Sequence, residues 1–314
     1  MRLIYWGTPE FAVPSLRALL GEGHEVVAVV TQPDRPAGRG RGLRSPPVKR
    51  LAEEETIPVL QPEKPVGDTF LARLREYAPD LSVVVAYGRI LRREVLDVPA
   101  GGSINLHASL LPELRGAAPI QWAIARGHEF TGVTVMRMVE RMDAGPILMQ
   151  VAEPIGEEER ASDLTARLSE IGAEILVETL ALLEVDGVAQ VEQDESRATF
   201  APLITRDDAH VDWSRPAVDV CRQIRAFDAV PGAWSVLDGS EIKLFRPLPI
   251  DAGTNREAPG TVLRVEPTDA AEGMLIACGA GALWIREVQP AGRSRMPTAA
   301  WLRGRGAEVG QQLT

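Results

Sequence analysis

Lysine is almost missing from this 314-residue chain: only Lys49, Lys64 and Lys243 stand among its 34 basic residues, and the rest are arginines. Cysteine is as scarce. Cys221 and Cys278 form no CxxC and no metal-type spacing, which excludes a disulfide framework and reads as two reduced, buried thiols. No apolar run approaches the length of a membrane-spanning helix. The start, Leu3-Ile4-Tyr5-Trp6 followed by Gly7-Thr8-Pro9-Glu10, has no apolar h-region of a secretory signal. A cytoplasmic protein with no membrane partner is expected. The first strand ends in Gly-Thr-Pro-Glu-Phe rather than GxGxxG, so a dinucleotide fingerprint is lacking. Internal repeats, low-complexity blocks and metal-ligand clusters are lacking too.

What remains is ordinary globular composition, 45% hydrophobic and 25% charged, at a length that suits two domains. The net charge of −10, averaged over the chain, argues against a nucleic-acid partner. The first half alternates short apolar runs with helix-like stretches. Residues 3–6, 24–31, 81–87, 103–107 and 132–138 read as strands, and 13–20 as a helix with Leu16, Leu19 and Leu20 on one side. Near-continuous Val, Ile and Leu runs separated by helices indicate an α/β fold with a Rossmann-like, mostly parallel sheet. A long helix follows from Ser162, a suitable N-cap, to about residue 183; Leu164, Leu168, Ile171, Ile175, Thr179 and Leu182 recur on one face. The spacing predicts a first domain over 1–185, a polar linker over 186–204 and a second domain over 205–314. In that last stretch, short strands near 234–237, 242–245, 260–265, 274–278 and 282–288 alternate with Gly- and Pro-rich turns, the texture of a small β-barrel or sandwich.

Among four histidines, His107 differs in context: it closes the strand Ser103-Ile104-Asn105-Leu106-His107. Residues 105 and 107 of a strand point the same way. An amide and an imidazole therefore project together where a parallel strand meets its loop, the place where α/β sheets bind ligands. Asp143 lies in a Gly/Pro turn after the strand at 132–138 and can meet His107. A carboxylate beside an imidazole orients it and raises its affinity for a proton. Asn plus imidazolium can donate to an oxyanion, and the carboxylate can handle the proton of an attacking amine. By spacing alone, a strand end and a turn-forming Asp are the better explanation of these residues.

The run Asn105-Leu106-His107-Ala108-Ser109-Leu110-Leu111-Pro112, then Arg115-Gly116-Ala117-Ala118-Pro119-Ile120-Gln121-Trp122, resembles the signature of 10-formyltetrahydrofolate-dependent formyltransferases. Further matches run along nearly the whole chain: Gly7-Thr8-Pro9-Glu10-Phe11-Ala12, Thr31-Gln32-Pro33-Asp34-Arg35, Val84-Val85-Ala86-Tyr87-Gly88, Thr131-Gly132-Val133-Thr134, Asp143-Ala144-Gly145, Asp212-Trp213 and Ile224-Arg225-Ala226-Phe227. The resemblance implies a formyltransferase fold with a C-terminal OB-like barrel, and 10-formyltetrahydrofolate as formyl-donor cosubstrate with no metal. It implies the α-amine of methionine on initiator methionyl-tRNA as acceptor, and a monomer. Asn105, His107 and Asp143 match the family's catalytic residues. Ser109, Leu110, Leu111 and Pro112 match its folate-binding stretch, with Tyr87, Gly88, Ile90 and Leu91 completing a pterin slot.

Six basic residues (Arg35, Arg39, Arg41, Arg44, Lys49, Arg50) and one acid, Asp34, fall between Gln32 and Arg50, with glycines interleaved. That pattern reads as an exposed cationic loop. In the family the matching insertion contacts the tRNA acceptor end, which makes Arg35, Arg39, Arg41 and Arg44 candidate tRNA ligands and Arg39 foremost among them. Two features depart from the pattern. Residues 205–314 hold 13 Arg or Lys against 14 Asp or Glu, and Glu113 stands where a basic residue is expected. Sugar-nucleotide or glycinamide-ribonucleotide formyltransferases and formyl-folate hydrolases would share Asn105, His107 and Asp143; a non-catalytic RNA-binding module is the alternative of another class. The insertion and the C-terminal β domain favour the tRNA acceptor.

Overall fold

A run such as Glu25–Val30 (EVVAVV) carries no polar face, so it forms a strand only where both faces are covered. The computed structural model describes residues 1–37, 42–250, 257–266, 273–304 and 306–314. It divides into two compact units. The first comprises Met1–Pro119, Phe130–Pro154 and Thr165–Pro202; the second comprises Ile120–Glu129, Ile155–Leu164 and Leu203–Thr314. This partition differs from a single cut at 185: two short segments from within the expected first domain cluster with the second unit, and most of the expected linker is part of the first.

Among the described residues, the strands of the first unit are β1 (Arg2–Gly7), β2 (Glu25–Val30), β3 (Arg35–Ala37), β4 (Gly42–Arg44), β5 (Val59–Leu60), β6 (Leu81–Val85), β7 (Ser103–His107), β8 (Arg115–Gly116), β9 (Phe130–Arg137), β10 (Ile147–Pro154) and β11 (Phe200–Ala201). The helices along this stretch of chain are α1 (Val13–Gly21), α2 (Pro47–Glu54), α3 (Asp68–Glu76), α4 (Arg93–Leu96), α5 (Pro119–Ala125), which belongs to the second unit apart from Pro119, and α6 (Ala161–Glu184), whose first four residues also belong to the second unit. Seven strands form one sheet in the order β10-β9-β7-β6-β1-β2-β5. The run from β7 to β5 is parallel, while β9 pairs antiparallel with both β7 and β10. Leu3, Ile4, Tyr5 and Trp6 of β1, Val83 and Val85 of β6 and Ile104 of β7 are wholly buried, as two covered faces require. The chain leaves β1 toward β2 on one side and returns to β6 on the other. That reversal opens a crevice at the carboxyl ends of the strands.

Three local differences from the sequence reading have physical causes. The strand at β6 stops at Val85 rather than 87 because Ala86 turns into the left-handed region (φ 48°). The helix α6 begins one residue before Ser162; Asp163 does the capping, its Oδ2 accepting from the Arg160 backbone N–H at 3.3 Å and from Arg160 Nε at 2.7 Å. The basic stretch after Gln32 is not only loop. Strands β3 and β4 pair antiparallel with Arg35 opposite Arg44, and Lys49 and Arg50 lie on α2, where Val48, Leu51 and Ala52 are buried.

In the second unit, α7 (Ala217–Ala226) buries Val220, Cys221 and Ile224 against a sheet built from β12 (Trp234–Leu237), β13 (Ser240–Ile250), β14 (Val262–Val265), β15 (Met274–Ala277), β16 (Ala282–Pro290) and β17 (Met296–Pro297), followed by α8 (Thr298–Leu302). The antiparallel order is β12-β13-β16-β15-β14, with β17 on β16. Residues 310–314 join its two ends. Val236 and Thr314 exchange backbone hydrogen bonds at 2.8 and 2.9 Å, Val262 N donates to Gln311 O at 2.8 Å, and Leu313 N donates to Gly260 O at 2.9 Å. The sheet thereby closes into a barrel, around a core that includes Trp213, Leu244, Ile276, Ile285 and Leu313. Both cysteines are free and buried there, and burial pushes the Cys278 thiol up to about 12.

Candidate active site

Strand β7 is buried along its whole length and ends at the crevice. Asn105 and His107 lie on its same face, 9% and 6% exposed. The Asn105 amide makes no hydrogen bond within the described residues, so its donors stay available at the crevice. His107 is hydrogen-bonded through one ring nitrogen and faces a carboxylate with the other. Its Nε2 lies 3.0 Å from Leu114 O, and a carbonyl only accepts, so Nε2 carries a hydrogen. Its Nδ1 faces Asp143 Oδ2 at 3.8 Å. A proton added at Nδ1 would therefore point at the carboxylate.

Asp143 reaches that position from a tight turn after β9. It has φ 50°, and Gly116 N donates to its Oδ2 at 2.8 Å. Two residues on, a Cβ at Gly145 would stand 1.9 Å from Arg137 O. Only glycine lets the turn fold back so closely.

The turn after β7 is fixed by Thr134 of β9. Its Oγ1 donates to Ser109 O at 2.6 Å and accepts from Leu111 N at 3.3 Å and from Gln150 Nε2 at 2.8 Å. Ser109 Oγ donates to Glu113 O at 2.6 Å. Ser109, Leu111 and Pro112 are buried and Leu110 is half-buried, with the Leu111–Pro112 bond cis. Glu113 pairs with Arg197 at 3.3 Å.

The loop after β6 is split between core and crevice rim. Tyr87 and Leu91 are 1% and 2% exposed, and the Tyr87 ring packs edge-on to Trp6 with centroids 5.2 Å apart. Gly88 and Ile90 are exposed. Tyr87 O accepts from Thr8 Oγ1 at 3.0 Å and from Gln32 Nε2 at 3.2 Å, and Arg89 Nε donates to Gln32 Oε1 at 3.0 Å. The loops after β1, β2 and β6 are thus tied together around one carbonyl, while the Tyr87 hydroxyl is buried with no partner among the described residues.

Arg35 and Arg44 are exposed on the β3–β4 ribbon; Arg39 and Arg41 lie outside the described residues. Nearby, Asp34 is held below the usual carboxylate range, first by hydrogen bonds from Lys49 and Gln61. Among the described residues, no group of three or more His, Cys, Asp or Glu could hold a metal ion.

Two regions matter here that the sequence reading did not single out. Thr134 had a signal, since Thr131-Gly132-Val133-Thr134 matched a family motif. Gln193 had none. It sits in a polar stretch without periodicity, yet its Nε2 donates to Asp143 O at 2.9 Å and to Gly145 O at 2.8 Å.

The sequence model of the formyl transferase family matches residues 1–180, and that of the formyl transferase C-terminal domain matches residues 203–306. The chain belongs to the formyl transferase family. It is 48% identical over 313 residues to a protein of Geobacter sulfurreducens named methionyl-tRNA formyltransferase, covering 100% of this chain and 96% of that one. A relative of the same name from Acidobacterium capsulatum is 48% identical over 306 residues, 97% and 96% of the two chains. Solved structures at lower identity share the fold. HypX from Aquifex aeolicus in complex with tetrahydrofolic acid superposes with a TM-score of 0.64 at 22% identity, over 99% of this chain and 50% of that longer one. An N-formyltransferase from Helicobacter canadensis, in complex with folinic acid and dTDP-3-aminofucose, gives 0.67 at 19% identity over 92% and 99%. No helix among the described residues is long and apolar enough to cross a membrane.

Proposed function

We propose that this chain transfers the formyl group of 10-formyltetrahydrofolate to the α-amine of methionine esterified to initiator tRNA. The observation that carries this reading is the pairing of His107 Nδ1 with Asp143 Oδ2 at 3.8 Å, beside an Asn105 amide with no partner, on a chain 48% identical along its whole length to a relative named for that reaction.

The amine attacks the formyl carbon and the carbonyl oxygen takes up negative charge. Asn105 donates to that oxygen, and protonated His107 supplies the adjacent positive charge. The new N–C bond leaves a proton on the attacking nitrogen. Asp143 receives it and directs it to N10 of the folate as the N10–C bond breaks. Products are the formamide of the aminoacyl-tRNA and tetrahydrofolate, with atoms and charge balanced and no covalent enzyme intermediate. The turn at 109–112, locked by Thr134, and the loop carrying Tyr87, Gly88, Ile90 and Leu91 line the pterin slot, an apolar cleft with a few backbone donors and acceptors.

Arg35, Arg39, Arg41 and Arg44 contact phosphates of the acceptor end, and the barrel over 205–314 adds backbone contacts that position rather than specify. The enzyme works in the cytoplasm as a monomer and takes no membrane partner. The test offers methionyl-tRNA, a sugar nucleotide and water as competing acceptors for the formyl group. Formyl should appear on the aminoacyl-tRNA; formylation of the sugar alone would overturn the reading.

A further inference from the structure

Residues 193–201 lie between the two stretches matched by the family models, 1–180 and 203–306. Their composition predicts a linker, but they are hydrogen-bonded along their length to the two segments that hold His107 and Asp143. On one side, β11 pairs in parallel with β8. Arg115 N donates to Thr199 O at 2.9 Å, Ala117 N donates to Ala201 O at 2.9 Å, and Leu114 N donates to Thr199 Oγ1 at 2.9 Å. This fixes the stretch whose Leu114 carbonyl receives His107 Nε2 and whose Gly116 N–H binds Asp143 Oδ2. Gly116 itself sits at φ 123°, and a Cβ there would lie 2.6 Å from Ala201 O.

On the other side stands Gln193. Both of its N–H bonds go to the Asp143 turn, at the carbonyls of Asp143 and Gly145. Its Oε1 accepts from Arg115 Nε at 3.1 Å and Nη2 at 2.7 Å. Two carbonyls on one side and a guanidinium on the other admit a single orientation of the amide, and every hydrogen-bonding site on it is used. Arg115, 2% exposed, also donates to Glu195, Nη1 to Oε2 at 3.1 Å and Nη2 to Oε1 at 3.0 Å. Arg141, next to the turn, also pairs with Glu195. These two arginines, Arg115 foremost, hold the Glu195 carboxyl at about 2.

We infer that Gln193 is a positioning residue, the clasp of a strap over residues 193–201 that holds the Asp143 turn against His107. The need for a clasp follows from the backbone. Asp143 is a non-glycine residue at φ 50°, a conformation costing roughly 1 kcal/mol or more that persists only where its surroundings over-determine it. The Gly116 bond restrains the carboxylate, but the carbonyls of the turn are restrained by Gln193. Groups that orient a first ring of reacting side chains typically carry about 10–100-fold of the activity. The inference rests on the proposed role of Asp143.

The test uses the full chain and single-turnover formylation of methionyl-tRNA with enzyme in excess. Gln193→Met, similar in length and lacking the hydrogen bonds to the Asp143 turn and to Arg115, should lower the rate about 10–100-fold with the KM for the folate donor changed less than about threefold. Gln193→Glu keeps an acceptor for Arg115 and loses the donors to both carbonyls; it should lose a similar factor, and it serves if Gln193→Met fails to fold. In an Asp143→Asn background, either change should cost less than about threefold, because the group being positioned is already gone. A loss below threefold in the wild-type background overturns the inference, as does the same factor in both backgrounds, which marks general damage. Absence of formyl transfer by the wild-type enzyme instead overturns the function on which the inference rests, so the two failures are distinct.

Discussion

Asp143→Asn isolates the charge of the carboxylate from its shape. An asparagine oxygen still accepts from Gly116 N, 2.8 Å away, so the turn keeps its side-chain anchor. What disappears is the attraction between Asp143 Oδ2 and an imidazolium proton on His107 Nδ1, whose heavy atoms stand 3.8 Å apart. Two unit charges at that separation attract by roughly 4 kcal/mol at an effective dielectric of about 20, the value suited to a partly screened site. Both side chains are largely buried, 7% and 15% exposed, so solvent screening does not erase it. With His107 protonated as the mechanism requires, the carboxylate secures the imidazolium that the developing oxyanion needs, so the loss falls on the transition state. That corresponds to about three orders of magnitude in rate. Rapid-quench formylation of methionyl-tRNA under saturating folate donor measures it, alongside donor affinity by equilibrium binding. The expected result is a kcat loss near a thousandfold with donor affinity within about threefold and an unchanged melting profile. A variant within tenfold of wild type would refute the proton-handling role of Asp143, and a loss carried wholly by donor affinity would move the residue from the chemistry to the folate slot.

Two further predictions concern the parts that present substrate. Replacing Arg35 and Arg44 together by Ala should raise the KM for charged tRNA and flatten the slope of its salt dependence by about one for each phosphate no longer engaged, leaving the folate KM unchanged; an unaltered tRNA KM, or equal damage to both substrates, would count against a phosphate-binding ribbon. Leu313→Ala should destabilise the barrel by about 2–5 kcal/mol, since Leu313 is 1% exposed in its core and lies on the segment that closes the sheet. Urea unfolding followed by tryptophan fluorescence reads this directly; a midpoint indistinguishable from wild type would show that 310–314 does not hold the barrel shut.

Much of the fold is legible because strand burial writes itself into composition. Val26 to Val30 and Val83 to Val85 can be apolar without alternation only if helices cover both faces, and they are nearly solvent-free. The crevice pair was legible for a similar reason, since a two-residue spacing on a strand fixes which side chains share a face. What escaped is hydrogen bonding by polar residues across long sequence separations. Gln193 reaches Asp143 over 50 residues and Thr199 reaches Leu114 over 85, and neither leaves a period or a run to detect. The barrel was legible as short strands and turns, but its closure was not: it depends on backbone hydrogen bonds from 310–314, which any side chains could accompany. Helix α7 was not singled out, although Ala217, Val220, Cys221 and Ile224 recur on one face at helical spacing and are buried.

The shortage of lysine takes on a meaning in the same light. Arginine carries five donors in a rigid planar fork, so one side chain can satisfy several acceptors where lysine presents a single mobile charge. Arg2 donates to Glu25, to Tyr77 O and to Ala78 O; Arg115 clasps Gln193 and Glu195; Arg225, 9% exposed, donates to Gly156 O and Glu159 O; Arg295 spans Asp228 and Glu287. Even the cavity of about 340 Å³ in the second unit lined by Arg160, Arg225, Arg246 and Arg286 carries Glu158 and Glu287 among them. Many of the chain's cations are therefore committed to holding loops and ends together and are already neutralised by the acids that outnumber them. Charge available to a polyanion is smaller than the arginine count, and the exposed ribbon with Arg35 and Arg44 weighs correspondingly more. If the chain takes the tRNA acceptor proposed above, its binding is expected to be modest and salt-sensitive, and concentrated where arginines are left exposed rather than spread over the acidic body.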